Sequence, residues 1–360
     1  MAIHDEVMTA PATKGHVSVA RVTRAWYVAC RSEQLATAPV ARTILGVPVV
    51  VYRDAQGVPG ALIDRCPHRN APLSRGEVDE HGWLACPYHG WRFDREGACR
   101  AVPGLLGESG GASEKRSVAA FPVVEQDGFV WLWADAGSPP VGRPVRIPFV
   151  ADPDYVTIQR EYLFECTLHA ALENALDVPH TAFVHRGDFR GKTERHEIEA
   201  VRRRIPDGIE VEYVGEPPLS GPASDDAGRP ILQQHWDRFL MPSIAQIEYK
   251  TGADRHQITT FPHTPVGDFQ TRGWLVSCWR LPERDPAVIK RIEGFLDDIL
   301  AQDLTILAEQ TKTIRRFGGE AYQSTALDLM GPEIWRMLKQ SERGLDPNSA
   351  DIATRVRISV

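Results

Sequence analysis

Two short runs in the N-terminal half, Cys66-Pro67-His68 and Cys86-Pro87-Tyr88-His89, each set a thiol and an imidazole one or two residues apart. A [2Fe–2S] cluster of mixed ligation needs two thiolates on one iron and two imidazoles on the other, so each of two adjacent loops must bring one of each. The two runs supply that set. Zinc is the rival, because two cysteines and two histidines also suit a tetrahedral site. Structural zinc, however, usually takes wider pairs of the Cx2–4C and Hx3–5H kind, and the single residue between Cys66 and His68 is too tight for that pattern. His81, between the runs, has no matching position and reads as a loop histidine. The prolines and glycines around them (Pro67, Pro72, Gly76, Pro87, Gly90) suit tight turns that bring backbone N–H groups near sulfur.

A second concentration of chemistry opens the other half, where Glu173, Asn174, Asp177, His180 and His185 crowd into ECTLHAALENALDVPHTAFVHRGDF. Two imidazoles beside a carboxylate invite a single metal ion. On a regular helix His180 and His185 would stand about 140° apart, wider than the i, i+4 pair of a helical zinc site. A distorted turn is therefore required, and Pro179 implies a break there. An iron(II) site that activates dioxygen takes two imidazoles and one carboxylate on one face and leaves the other open. The carboxylate must then come from elsewhere. The segment DPAVIKRIEGFLDDILAQDLTILAEQTKTIRRF predicts a helix with Asp285 as N-cap and Pro286 in its first turn. Ile292, Phe295, Leu296, Ile299, Ile306 and Leu307 form its apolar stripe, and Asp303 projects into the middle of it. A carboxylate facing a core is costly unless it binds a metal or meets a buried arginine, and the residues alone leave both readings open. Asp297, Asp298 and Glu309 fall outside the stripe and read as solvated.

At these segments the chain resembles the Rieske non-haem iron oxygenases. RCPHRNAPLSRG and CPYHGWRFDREG are similar to the family's Rieske domain, ENxxDxxHxxxxH to its mononuclear iron motif, and QDLTILAEQ to the segment bearing its carboxylate ligand. The resemblance runs from about Trp26 through Gln310. It implies one [2Fe–2S] cluster on Cys66, His68, Cys86 and His89, and one mononuclear Fe(II) on His180, His185 and Asp303. It also implies that Asp177 joins a mononuclear-site histidine, His180, to a cluster histidine, His68 or His89, of the next subunit in a head-to-tail homotrimer. Asn174 and Glu173 are candidates to stand behind the ligands, Asn174 within approach of the iron. Gln302 replaces the glutamate common in the family, a departure expected to leave the ligand untouched.

These centres need elements to hold them, and 360 residues is about three times what an electron-carrying Rieske domain requires. Short β-type runs (TILGVPVVVYRD, GALIDR, GFVWLWAD) broken by glycine and proline turns predict a small all-β domain. The prolines and glycines of AGSPPVGRPVRIP mark a linker. AQIEYK, HQITTF and RGWLVSCWRL read as strands preceding the Asp303 helix. The expected class is α+β: an N-terminal extension over 1–19, an all-β Rieske domain over 20–135, a linker over 136–149, and a catalytic domain over 150–360. For the last, the resemblance implies a helix-grip fold, an antiparallel sheet wrapped on a long helix.

The net charge of −7 argues against nucleic acid as a partner. No stretch approaches the about eighteen apolar residues of a membrane span. The start, MAIHDEVMTAPATKGH, lacks an apolar signal core, and Cys30, Cys99, Cys166 and Cys278 read as free thiols, so a cytoplasmic protein is expected. No flavin- or nicotinamide-binding glycine fingerprint appears, so electrons are expected from NAD(P)H through a separate reductase or ferredoxin. Arg65, Arg69, Arg75, Arg92 and Arg95 flank the cluster loops and would offer an acidic donor a basic patch.

Length and motif spacing look most like the shorter oxygenases that include vanillate O-demethylase and pheophorbide a oxygenase. That implies a terminal monooxygenase that spends O2 on hydroxylating or demethylating an aromatic or polycyclic small molecule. Its pocket is expected on the strands between Gln233 and Trp279, with Trp236, Ile244, Ile258, Phe261 and Trp274 as apolar candidates that serve equally well as core. The rivals are an electron-transfer protein without oxygenase chemistry, and a desaturase or oxidative cyclase on the same iron site.

Overall fold

The computed structural model describes residues 18–35, 38–105, 116–187, 196–218, 231, 233–252, 254–349 and 352–359. Most of the expected N-terminal extension, 1–17, lies outside the described residues. The described residues divide into two compact units, one built on 23–146 with 264–267, the other on 147–263 and 268–359 with 18–22.

The first unit is all β. Strands β1 (Trp26–Arg31), β10 (Val123–Gln126) and β11 (Phe129–Trp133) form one sheet in the order β1-β11-β10. A second sheet, β2-β3-β4-β9, joins β2 (Val40–Ile44), β3 (Val47–Arg53), β4 (Pro59–Ile63) and β9 (Ala120–Phe121). One hairpin in each sheet turns on two residues at positive φ, Leu45-Gly46 between β2 and β3 and Asp127-Gly128 between β10 and β11. Such a turn twists with its strands, which locks the register. The β-branched run of β3 and the aromatic run of β11 are buried, so the core sits between these strands rather than under the loops. A third, small sheet, β5 (Glu77–Val78), β6 (Leu84–Ala85), β7 (Arg92–Phe93) and β8 (Cys99–Ala101), is the platform for the cysteine–histidine loops. Cys66–His68 follows β4, and Cys86–His89 links β6 to β7.

The second unit is an eight-stranded antiparallel sheet with helices. Its strands are β12 (Val156–Phe164), β13 (Glu197–Ile205), β14 (Gly208–Val214), β15 (Gln233–Leu240), β16 (Ile244–Thr251), β17 (Arg255–Gly267), β18 (Gln270–Arg280) and β19 (Thr354–Ser359). The order β12-β18-β17-β16-β15-β14-β13-β19 is a meander from β13 to β18 with one distant strand added at each edge. The helices are α1 (Leu168–Ala175), α2 (Pro286–Phe317) and α3 (Gly331–Glu342).

Helix α2 begins as its sequence predicts. Asp285 accepts a hydrogen bond from the Ala287 N–H at 2.8 Å, Pro286 fills the first turn, and Gly318 ends the helix at φ 77°. Its buried positions, Leu296, Leu300, Asp303, Leu307, Thr311 and Ile314, repeat every three or four residues. Ile306, expected in that stripe, is instead 47% exposed. The face against the sheet is narrower than the stripe drawn from periodicity, and Ile306 falls on its flank, where with Leu307 it lines a side cavity.

Candidate metal centres

In the first unit the two loops fold alike. The Asn70 N–H donates to the Cys66 carbonyl at 2.9 Å and the Gly90 N–H to the Cys86 carbonyl at 3.0 Å. The cysteine N–H groups donate onward, Cys66 to Ala71 O at 2.9 Å and Cys86 to Trp91 O at 2.7 Å. Asn70 and Gly90, four residues after each cysteine, take the left-handed conformation that closes the turn. Both thiols are buried, and their rings meet on one side: His68 and His89 lie edge to face at 4.4 Å, with Trp91 stacked on His68 at 4.8 Å. Burial first, then the neighbouring Cys86 thiol, pushes Cys66 up to about 11. A thiol that reluctant to ionise becomes a thiolate when a metal supplies the positive charge. His68 Nδ1 is buried with no hydrogen-bond partner, a polar atom in want of a Lewis acid. Two paired thiols and two paired imidazoles on matched loops fit a [2Fe–2S] cluster. His81 stays on an exposed turn beside Glu80.

The second constellation is built by three elements of the other unit. Thr167 caps α1 by accepting from the Ala170 N–H at 3.1 Å. The helix stops at Ala175, and a short 3-10 turn, Pro179–Ala182, takes the chain off its axis. That break brings His180 and His185 together: their Nε2 atoms are 3.2 Å apart. From α2, Asp303 Oδ1 reaches to 3.2 Å from His185 Nε2 and 3.6 Å from His180 Nε2. Metal–donor bonds of about 2.1 Å at right angles give donor spacings of about 3.0 Å, close to those seen. The three donors fit one metal ion.

Each donor is also held from behind. His180 Nδ1 meets the Asp177 carbonyl, and the His180 backbone N–H donates to Asp177 Oδ2 at 2.9 Å. Burial, the largest single influence on His180, lowers its pKa, but Asp177 and Asp303 together outweigh it and raise it to about 9. Asn174 Nδ2 donates to Asp303 Oδ1 at 3.1 Å. Hydrogen bonds and charge from the two histidines hold the Asp303 carboxyl below its ordinary value against its desolvation. Gln302 leaves Asp303 in its place, and its Oε1 lies 2.7 Å from His185 Nδ1, a contact that sequence reasoning did not foresee. One turn of α2 thus presents a carboxylate and a group that orients a neighbouring imidazole. Glu173 stands apart and faces His169, 3.9 Å from Nδ1.

A cavity of about 860 Å³ opens beside the three donors. Phe164, Ile247, Phe261 and Leu275 line it from the sheet, and Ile292 and Phe295 from α2. Of the apolar candidates only Phe261 is in its lining; Ile244, Ile258 and Trp274 are buried in the core, and Trp236 is half-buried off the cavity. Adjacent strand residues face opposite sides of a sheet, and hydrophobicity alone does not say which side holds the cavity. Sequence reasoning also passed over His235 and Asp237. Their i, i+2 spacing within a β-run, both polar and both on the buried face, was the available signal.

Two units, one with matched thiol–imidazole loops and one with a two-histidine, one-carboxylate cluster beside an apolar cavity, define the class of molecule. Comparison narrows it. The Rieske [2Fe-2S] domain model matches residues 25–118, and the vanillate O-demethylase oxygenase C-terminal domain model matches residues 164–343. The chain belongs to the family of Rieske proteins that carry this oxygenase C-terminal domain. It is 40% identical over 170 residues to the oxygenase component of dicamba O-demethylase from Stenotrophomonas maltophilia, covering 46% of this chain and 48% of that one. It is 33% identical over 171 residues to the vanillate O-demethylase oxygenase subunit of a Pseudomonas species (strain HR199 / DSM 7063), covering 47% and 46%. These matches thus span about half the length of either relative. The crystal structure of dicamba monooxygenase bound to dicamba superposes with a TM-score of 0.72 at 26% identity, over 90% of this chain and 98% of that one.

Proposed function

We propose that the chain is the terminal component of a multi-component oxygenase, which hydroxylates or oxidatively demethylates an aromatic or polycyclic small molecule. The observation that carries this reading is the convergence of His180, His185 and Asp303 at the edge of an apolar-walled cavity of about 860 Å³. Overall, substrate, O2, two electrons and two protons give an oxygenated product and water. Cys66, His68, Cys86 and His89 would hold the [2Fe–2S] cluster, and His180, His185 and Asp303 the iron(II). When bound, the cluster passes electrons singly and the iron activates dioxygen.

The protein's own groups do the rest. Phe164, Phe261 and Leu275 keep a flat substrate against the donors and exclude water. Gln302 Oε1 behind His185 Nδ1 and the Asp177 carbonyl behind His180 Nδ1 fix the two imidazoles so that Nε2 of each faces the centre. The Asp177 side chain stays 30% exposed, which leaves carboxylate surface for a cluster histidine of the next subunit in a homotrimer. Electrons come from NAD(P)H through a separate reductase or ferredoxin. None of the six cysteines forms a disulfide and all are buried, in keeping with a reducing cytoplasm. Among the described residues no helix is long and apolar enough to cross a membrane.

The test is iron and acid-labile sulfide per chain on anaerobically purified protein, for wild type and His180→Ala/His185→Ala. The expected result is about three irons and two sulfides in the wild type, falling to about two irons in the variant with the cluster spectrum retained. About two irons in both after loading with Fe(II) would leave an electron carrier and end the oxygenase reading.

A further inference from the structure

The metal donors take one end of the cavity, and its other end carries charge that they do not use. On α2, Arg291, Phe295, Ile299 and Asp303 all line the cavity and stand four residues apart, one row along the helix. The row begins with a cation, ends with the metal-binding carboxylate, and is apolar between. At a rise of about 1.5 Å per residue, about 18 Å of helix separates the two. Side chains on a helix lean toward its N-terminus, so the lean does not carry Arg291 toward Asp303.

The sheet gives a similar length. Along β17 the lining runs from Phe261 to Arg255, about 20 Å at strand rise. Helix and sheet run alongside: Arg284, just before α2, donates to the Pro153 carbonyl, just before β12, and further on Arg160 Nε donates to Asp297 Oδ1 at 2.9 Å. Val156, which opens β12, pairs with Trp279 near the end of β18, so Arg280 belongs to the Arg291 end. Thr259 Oγ1 lies 2.7 Å from Ser277 Oγ, which puts Arg255, at the start of β17, at that end too. Three arginines thus line it against one glutamate, the exposed Glu283. Arg291 is itself exposed and, among the described residues, forms no ion pair. Between the ends, the acid of the sheet is answered where it stands. Asp237 Oδ1 lies 3.0 Å from His235 Nε2, and that imidazole stacks between Tyr213 of β14 and Tyr249 of β16.

A volume of about 860 Å³ is near the top of the range of about 300–1,000 Å³ for drug-sized ligands. A one-ring acid is too short to touch both ends. Resting on the oxygenase reading and extending it to the substrate, we propose that the cavity takes an elongated amphipathic anion, an aryl-alkyl or polycyclic carboxylate. Its apolar end meets His180, His185 and Asp303, its body lies along Phe295 and Ile299, and its carboxylate is bound by Arg291. A guanidinium presents two parallel N–H donors that match a carboxylate.

The experiment is equilibrium binding by calorimetry to the metal-loaded, oxidised protein at low ionic strength and without reductant. The probes are 8-(4-methoxyphenyl)octanoate, the alcohol 8-(4-methoxyphenyl)octan-1-ol, and 4-methoxybenzoate. The alcohol keeps the length and loses the charge; the benzoate keeps the charge and loses the length. In the wild type the long acid should bind about fivefold or more tighter than the alcohol, from charge-assisted hydrogen bonds, and about tenfold or more tighter than the benzoate, from apolar contact along the slot. Arg291→Gln should bring the long acid down to the alcohol and leave the alcohol unchanged, and Arg291→Glu should place the acid below it. Position 291 is exposed, so both variants should fold, and the wild-type ranking is a test by itself. A long acid no tighter than the alcohol, a benzoate as tight as the long acid, no binding of any probe, or an unchanged gap between acid and alcohol in Arg291→Gln overturns the proposal. The iron count tests the oxygenase reading and this ranking, read without turnover, tests the substrate, so either can fail alone.

Discussion

At His185 the nitrogen pointing away from the donor cluster meets Gln302 at 2.7 Å, so the tautomer with Nε2 free to bind metal is imposed by an amide rather than by a carboxylate. Removing it frees the ring to turn and to bind through either nitrogen. Gln302→Ala should weaken metal binding about 10–100-fold, read by Co(II) titration of the metal-free protein, with Gln302→Glu restoring it; wild-type affinity in the alanine variant would show that packing alone orients the ring. Legibility at this scale follows from what sequence distance reveals. The cysteine–histidine runs were readable because each pair of donors is local. Asp303 was readable because a charge inside an apolar stripe needs a reason. Gln302 was not, since its position on α2 shows which way it leaves the helix but not what lies across from it.

The same limit operates between elements. The strand-like runs AQIEYK, HQITTF and RGWLVSCWRL lie in β16, β17 and β18, yet nothing local places β12 beside β18, a pairing that sets Tyr162 against Gly273. That pairing has a steric consequence at the cavity. A Cβ on Gly273 would stand 2.6 Å from Phe261 Cε2 and 2.8 Å from Phe164 Cε2, and both rings line the cavity. Gly273→Ala should cost about 1–3 kcal/mol in denaturant unfolding and weaken binding of every aromatic probe alike, since the rings have only the cavity to move into. An unchanged midpoint and unchanged affinities would mean that the wall has room to spare. The three-strand stack around His235 makes a prediction of opposite character. Desolvation, the largest influence, opposes its charge, but Asp237 and Glu216 outweigh it and raise its pKa to about 9. Tyr213 and Tyr249 pack on its two faces. A folded-state pKa above the unfolded value of about 6.5 means that the folded chain binds the extra proton. Its stabilisation is complete below about pH 6.5 and drains away as pH rises through about 9, with a slope of at most about 1.4 kcal/mol per pH unit. His235→Gln should flatten that part of the stability profile; a slope that survives the substitution belongs to another group.

For the molecule as a whole, charge is distributed against its average. The chain carries −7, yet five arginines flank the cysteine–histidine loops, and the structure separates them into two kinds. Arg92 lies 3.3 Å from Asp79 Oδ2 and Arg95 lies 2.9 Å from Asp54 Oδ2, so their charges are met locally. Arg65, Arg69 and Arg75 are exposed and, among the described residues, form no ion pair; Arg65 donates to Asn70 Oδ1 at 2.8 Å and braces the loop turn. The patch that the sequence offered as five charges is therefore chiefly the surface around Arg69 and Arg75. An acidic electron donor approaching a net-negative protein is repelled at long range and must be captured at short range by that surface. Arg69→Glu/Arg75→Glu should slow reduction of the cluster by an acidic ferredoxin about tenfold at low ionic strength, measured by stopped-flow bleaching of the cluster absorbance. Arg92→Glu/Arg95→Glu should do less, because each of those charges is already answered. Raising salt above about 0.1 M shortens the screening length to about 10 Å, so the wild type and the first variant should converge there. Equal rates at low salt would place the docking surface elsewhere on the molecule.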